Sequence, residues 1–201
     1  VFFLFEGVHK WGEGNFLVRS RQLFAEQNLM AVVVDAPSDR QSPPHFGGFR
    51  QTREHVTDVK AVMAWLREQA KVPVRLVGTS RGTQSAAFVA TQLTGPEGPD
   101  GLVLTSTVLK DKRERPVPDM DLGKLKIPVL VIHHEHDGCG NCAFGDVPRL
   151  MERLGPLPRK ELLTFKGGEN RGNPCEAFAY HGFNGIEREV AAKTARWILA
   201  R

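Results

Sequence analysis

The sequence predicts an α/β fold in which a mostly parallel sheet carries helices on both faces. Short apolar runs at residues 1–5, 30–35, 72–78, 101–106, 127–133 and 161–165 alternate with longer segments whose apolar residues recur at helical spacing. The runs are apolar almost without interruption, as strands covered on both faces require; a half-exposed antiparallel sheet would interleave polar residues. At 201 residues the chain suits one domain, large enough to bury a core without staples.

The first strand is Val1 to Phe5, and the helix after it starts behind Asn15, a good N-cap. That helix runs through Phe16, Leu17, Leu23 and Phe24 and stops at Asn28. A second strand, 30–35, ends on Asp35 and opens into a loop at 38–48 rich in Gly and Pro, with Asp39 and Arg40 near its start. Val56, Val59, Val62, Met63 and Leu66 then place an apolar stripe on one side of a helix. The third strand, 72–78, runs directly into Gly78-Thr79-Ser80-Arg81-Gly82 and a helical pattern carrying Ala86, Ala87, Val89 and Ala90. Strands at 101–106, 127–133 and 161–165 follow, separated by loops at 94–101 and 115–126. Val190, Thr194, Trp197 and Ile198 mark a terminal helix.

Composition narrows the function classes. With 41% hydrophobic and 25% charged residues the chain is neither disordered nor membrane-like, and no apolar run approaches the ~20 residues of a membrane span. A net charge of +4 is spread along the chain without aromatic interleaving, which argues against a nucleic-acid partner. Lys110, Lys112, Arg113 and Arg115 share a loop with Asp111 and Glu114 and read as a solvated turn. The sequence opens on Val1 inside an apolar run, with neither Met nor leader, and is expected to be trimmed at its start.

Gly78 to Gly82 spells G-x-S-x-G between a strand and a helix. A tight turn there exposes the Ser80 hydroxyl, and the helix aims its N-terminal N–H groups at a developing oxyanion. A serine needs a base to take its proton and an acid to hold that base. Asp137 follows the fifth strand and precedes Gly138; His181 lies beyond the sixth strand and before the terminal helix, so Ser80, Asp137 and His181 stand in the required order. Glu135 competes for the acid role, but the Asp-Gly pair better suits a loop bending toward a partner. His133, His134 and His136 read as ordinary loop or core histidines, and His9, His45 and His55 precede the acid. The N–H groups of Val8 and Arg81 are the expected oxyanion donors. Gly7, His9 and the Arg81 side chain are the candidate substrate contacts.

The stretches Gly14 to Arg21, Val34 to Arg40, Gly78 to Thr83 and His181 to Gly185 resemble the α/β-hydrolase superfamily, in particular a group of bacterial members of unassigned substrate. The resemblance spans nearly the whole chain. It implies the Ser80, Asp137 and His181 triad, and it names no substrate. Superfamily members usually begin with two further strands, which this sequence lacks. Many carry a helical lid where residues 115–126 lie, and this loop leaves little room for one. The expectation is a lidless carboxylic-ester hydrolase working through an acyl-enzyme on a small-molecule substrate, with no metal or cofactor. Thioester cleavage, peptide cleavage and acyl transfer use the same apparatus. A non-catalytic binding protein of this fold is the alternative from another class.

Cys139, Cys142 and Cys175 fall in the two loops that carry Asp137 and His181. A Cys139–Cys175 bridge would tie these loops together and point to an exported protein; without it the cytoplasm is expected. Three free thiols are a second reading. A zinc or redox site on Cys139-Gly140-Asn141-Cys142 is a third.

Overall fold

The computed structural model describes residues 14–200 and the backbone of residues 2–4. Six strands form one sheet: β1 (Phe2–Leu4), β2 (Val32–Val34), β3 (Leu76–Thr79), β4 (Leu102–Thr105), β5 (Val129–His134) and β6 (Lys160–Phe165). Their order is β2-β1-β3-β4-β5-β6, and every neighbouring pair is parallel. The reversal of strand order beside β1 and β3 creates a switch point at the carboxyl edge, where the loops of an open α/β sheet diverge to leave a crevice.

Alternate strand residues feed two separate cores, the period-2 signature of a sheet covered on both sides. Leu76, Leu102, Leu104, Val129 and Val131 pack against Val59, Met63 and Leu66 of α3 (Arg53–Ala70), Ala86 and Ala90 of α4 (Gly82–Gln92) and Leu150 of α5 (Val147–Arg153). On the other face Val77, Val103, Leu130 and Ile132 meet Phe16 and Leu17 of α1 (Phe16–Arg19), Phe24 of α2 (Arg21–Ala25) and Val190, Ala191, Ala195 and Ile198 of α6 (Glu187–Leu199).

Several elements differ from the sequence reading, which had no counterpart of α5 and began the second strand at Met30 rather than Val32. The expected first helix is two short ones meeting at Ser20; Asn15 caps the first through Leu17 N–H (2.9 Å), and Asn28, at φ 60°, ends the second segment. The third strand begins at Leu76 rather than Val72. Pro73 has no N–H to donate, and Val74 instead exchanges bonds with Asp100, donating to its carboxylate (2.8 Å) and accepting from its N–H (2.8 Å).

The loops above the carboxyl edge are tied to one another. Glu114 accepts from Gly48 N–H (2.8 Å) and Arg50 Nη1 (3.4 Å), and Gln51 Nε2 donates to the Arg115 carbonyl (2.9 Å). Residues 106–128, between β4 and β5, hold two 3-10 turns and no α-helix, so no helical lid stands there. No helix is long and apolar enough to cross a membrane among the described residues.

Candidate active site

Ser80 sits between β3 and α4 in the left-handed region, at φ 50°. That conformation is costly for a residue with a side chain and persists only where the surroundings enforce it. Here Ser80 N–H donates to Thr105 O (3.0 Å), while Ser80 O accepts from Thr83 N–H (2.9 Å) and the Thr83 hydroxyl (2.5 Å). The turn also demands glycine at position 78, where a Cβ would lie 2.4 Å from Gly82 O. Arg81 N–H, at the start of α4, has no backbone acceptor among the described residues, which leaves it available to an oxyanion.

Asp137 and His181 meet at the same edge. Asp137 turns back on β5 through its N–H to His134 O (3.1 Å), and one carboxylate oxygen accepts from Cys139 N–H (2.9 Å). The other accepts from His181 Nδ1 (2.9 Å), and both side chains are almost fully buried. The proton on Nδ1 leaves the lone pair of the neutral ring on Nε2. That nitrogen is buried without a partner, so the Ser80 hydroxyl is not bonded to it.

His181 rides on a 3-10 turn, Tyr180–Gly182, which demands glycine after it: a Cβ on Gly182 would stand 1.9 Å from Ala177 O. Ser106, directly after β4, anchors this turn. Buried and itself left-handed at φ 44°, it donates its hydroxyl to His181 O (2.6 Å). Its neighbour Thr105 holds Ser80 N–H, so consecutive residues of one strand end grip the Ser80 turn and the His181 turn. Sequence reasoning missed Ser106. The visible signal was the polar run Thr105-Ser106-Thr107 closing an apolar strand.

Glu135 points away to the Thr164 hydroxyl (3.0 Å) and Lys166 (3.2 Å), and those contacts hold its carboxyl below the usual range. His133 accepts from Thr107 N–H (2.8 Å), and burial pushes its pKa down to about 4 despite the opposing charge of Asp137. His134 bonds Gly167 O (2.9 Å) and stacks on Tyr180, with ring centroids 4.4 Å apart. Asp35 accepts from Ala36 N–H (2.8 Å), and Arg40 lies 3.5 Å from Asp39. The Arg81 guanidinium is engaged by Asp111 and Gln84. Asp111 is therefore no solvated turn residue: burial works against its carboxylate, but bonds from Arg113 N–H, Arg81 and Gln84 outweigh that and lower its pKa. Val8, Gly7 and His9 lie outside the described residues.

Cys139 and Cys175 form a disulfide across the Asp137 and His181 loops, and Cys142 is a buried free thiol. Zinc or redox chemistry on Cys139 and Cys142 as two free thiols is therefore not the state described. The bridge removes one of them.

No protein-family model and no curated protein sequence matches the chain. Solved structures do match over its whole length. An α/β serine hydrolase homologue from Coxiella burnetii superposes with a TM-score of 0.64 at 18% identity, covering 100% of this chain and 85% of that one. A lidless α/β serine hydrolase from Xanthomonas campestris gives 0.54 at 18%, covering 100% and 84%. The esterase domain of a Rhodothermus marinus protein gives 0.58 at 13%, covering 97% and 86%. Sheet order, the turn at Ser80 and these likenesses agree that the chain has the α/β-hydrolase fold.

Proposed function

We propose that the protein is a serine hydrolase that cleaves small carboxylic esters. The observation that carries this reading is the meeting, at one sheet edge, of a left-handed Ser80 and the buried Asp137–His181 pair. In the proposed cycle His181 Nε2 takes the Ser80 proton as Oγ attacks the ester carbonyl, and Asp137 steadies the resulting imidazolium. The N–H groups of Arg81 and Val8 receive the oxyanion. Imidazolium then protonates the departing alkoxide, and water, activated by the same imidazole, releases the acid and restores Ser80. The chemistry asks for no metal or cofactor.

Esterase and lidless hydrolase structures among the neighbours support an ester substrate and an open site. The bridge between Cys139 and Cys175 supports an oxidising compartment outside the cytoplasm. A fluorophosphonate probe tests the reading directly: wild type is expected to label on Ser80 and Ser80→Ala not at all. Equal labelling of the two, or none of either, would sink it. A series of chromogenic esters of increasing acyl length then ranks substrates, with thioesters as the comparison.

A further inference from the structure

The sulfurs of Cys139 and Cys142 and a ring nitrogen of His181 lie within 4.8 Å of one another, and all three side chains are buried. No other such trio of His, Cys, Asp or Glu occurs among the described residues. A fourth donor is attached to the group already, because the Cys175 sulfur is bonded to that of Cys139. Cys139-Gly140-Asn141-Cys142 closes on itself through Cys142 N–H to Cys139 O (2.8 Å), a C-x-x-C turn of the spacing that grips tetrahedral zinc. His181 fits the set for a separate reason. Asp137 fixes the proton on Nδ1 and leaves Nε2 with a buried, unpartnered lone pair, the carboxylate–histidine arrangement that orients metal-binding imidazoles.

We infer that reduction of the Cys139–Cys175 bond creates a Cys3His site for a soft divalent cation, Zn2+ above all, on Cys139, Cys142, Cys175 and His181. Filling that site removes the catalytic base. Zn–S bonds of about 2.3 Å and Zn–N bonds of about 2.0 Å put neighbouring ligands somewhat under 4 Å apart, so the group closes by roughly 1 Å. Cys175 is solvent-exposed and offers the end at which a reductant enters. A small dithiol gives up two electrons and two protons to the bridge and becomes a cyclic disulfide, leaving Cys139 and Cys175 as thiols. Zn2+ then displaces three thiol protons and takes the His181 lone pair. The oxidised, metal-free protein would be the active form, and the reduced, zinc-loaded protein the silent one.

Only the silencing rests on the proposed hydrolase function; the metal site stands alone, and its test does too. The protein, reduced with a phosphine and freed of excess reagent, is titrated with Co2+ and then Zn2+. One equivalent of Co2+ should bind with the intense visible absorption of a tetrahedral thiolate complex and be displaced by Zn2+. The oxidised protein should bind at least a hundredfold more weakly. Cys142→Ser and His181→Ala should each weaken binding tenfold or more, whereas Ser80→Ala should bind like wild type. Cys175→Ser frees Cys139 without any reductant and provides a second preparation; it should bind through the three remaining ligands. Absence of the cobalt spectrum in both the reduced and the Cys175→Ser proteins would overturn the inference, as would undiminished binding by Cys142→Ser. Zn2+ should also abolish fluorophosphonate labelling of the reduced wild type, and the reduced Cys142→Ser variant should keep its labelling at the same Zn2+ concentration. If wild type never labels, the hydrolase reading fails while the titration still judges the site.

Discussion

Removing the Ser106 hydroxyl releases the His181 carbonyl from the end of β4 while leaving the backbone where it is. Ser106→Ala is expected to slow fluorophosphonate labelling about tenfold and to cost about 1–3 kcal/mol of stability, the usual penalty for stranding a buried acceptor. Stopped labelling time courses and urea titration separate the two effects. Asp137→Asn should leave the fold intact yet lower kcat by roughly 10^4, because an amide no longer holds the ring in the needed tautomer. Residues at this scale were legible where chemistry fixes their order along the chain: Asp137 was separable from Glu135 by the glycine after it. Ser106 was not, since its partner lies 75 residues away and the polar run around it does not say what it holds. His133 was read as an ordinary core histidine and is one, although its partner Thr107, on another strand end, was not visible in the sequence.

Most strands and helices were legible because their periodicities are local; the seven-residue α5 is too short to show one and was not read. Six apolar runs became six parallel strands, and the stripe of Val59, Met63 and Leu66 became the buried side of α3. What periodicity cannot supply is where pairing starts, which for β3 depends on Pro73 and on Asp100 across the sheet. The turns flanking the site are equally strict elements. Gly182→Ala would drive a Cβ into Ala177 O and force the turn carrying His181 to move. We expect that variant to stay folded, since the turn lies outside both cores, but to lose labelling by at least a hundredfold. Unchanged labelling would show that the turn adapts at no cost.

For the whole molecule, buried imidazoles contribute to the response to acid. Burial pushes both His55 and His133 down to about 4, whereas the unfolded chain takes up their protons near 6.5. The unfolded state therefore binds more protons between those values. The associated stability is fully present above pH 6.5 and is lost as pH falls toward 4, at about 3 kcal/mol for each. Urea denaturation at pH 7.5, 5.5 and 4.5 measures the slope, and His55→Gln should flatten it. The disulfide acts at the same scale. It closes 36 residues, so Cys175→Ser in metal-free buffer should lower stability by about 3–4 kcal/mol on the chain-entropy model, read from the same titrations.

Glu114, through Gly48 and Arg50, and Gln51, through the Arg115 carbonyl, fasten the loop after β2 to the loop after β4, and neither loop contributes a strand to the sheet. Such an arrangement separates heredity of chemistry from heredity of taste. Exposed positions in these loops, such as Ser38, Gln41, Lys112 and Arg113, can change and alter what surrounds Ser80, while the turn at Ser80 and the Asp137–His181 pair stay fixed on the sheet beneath. Directed evolution toward bulkier esters should accordingly collect its first gains at Glu114 and in the segments it clasps.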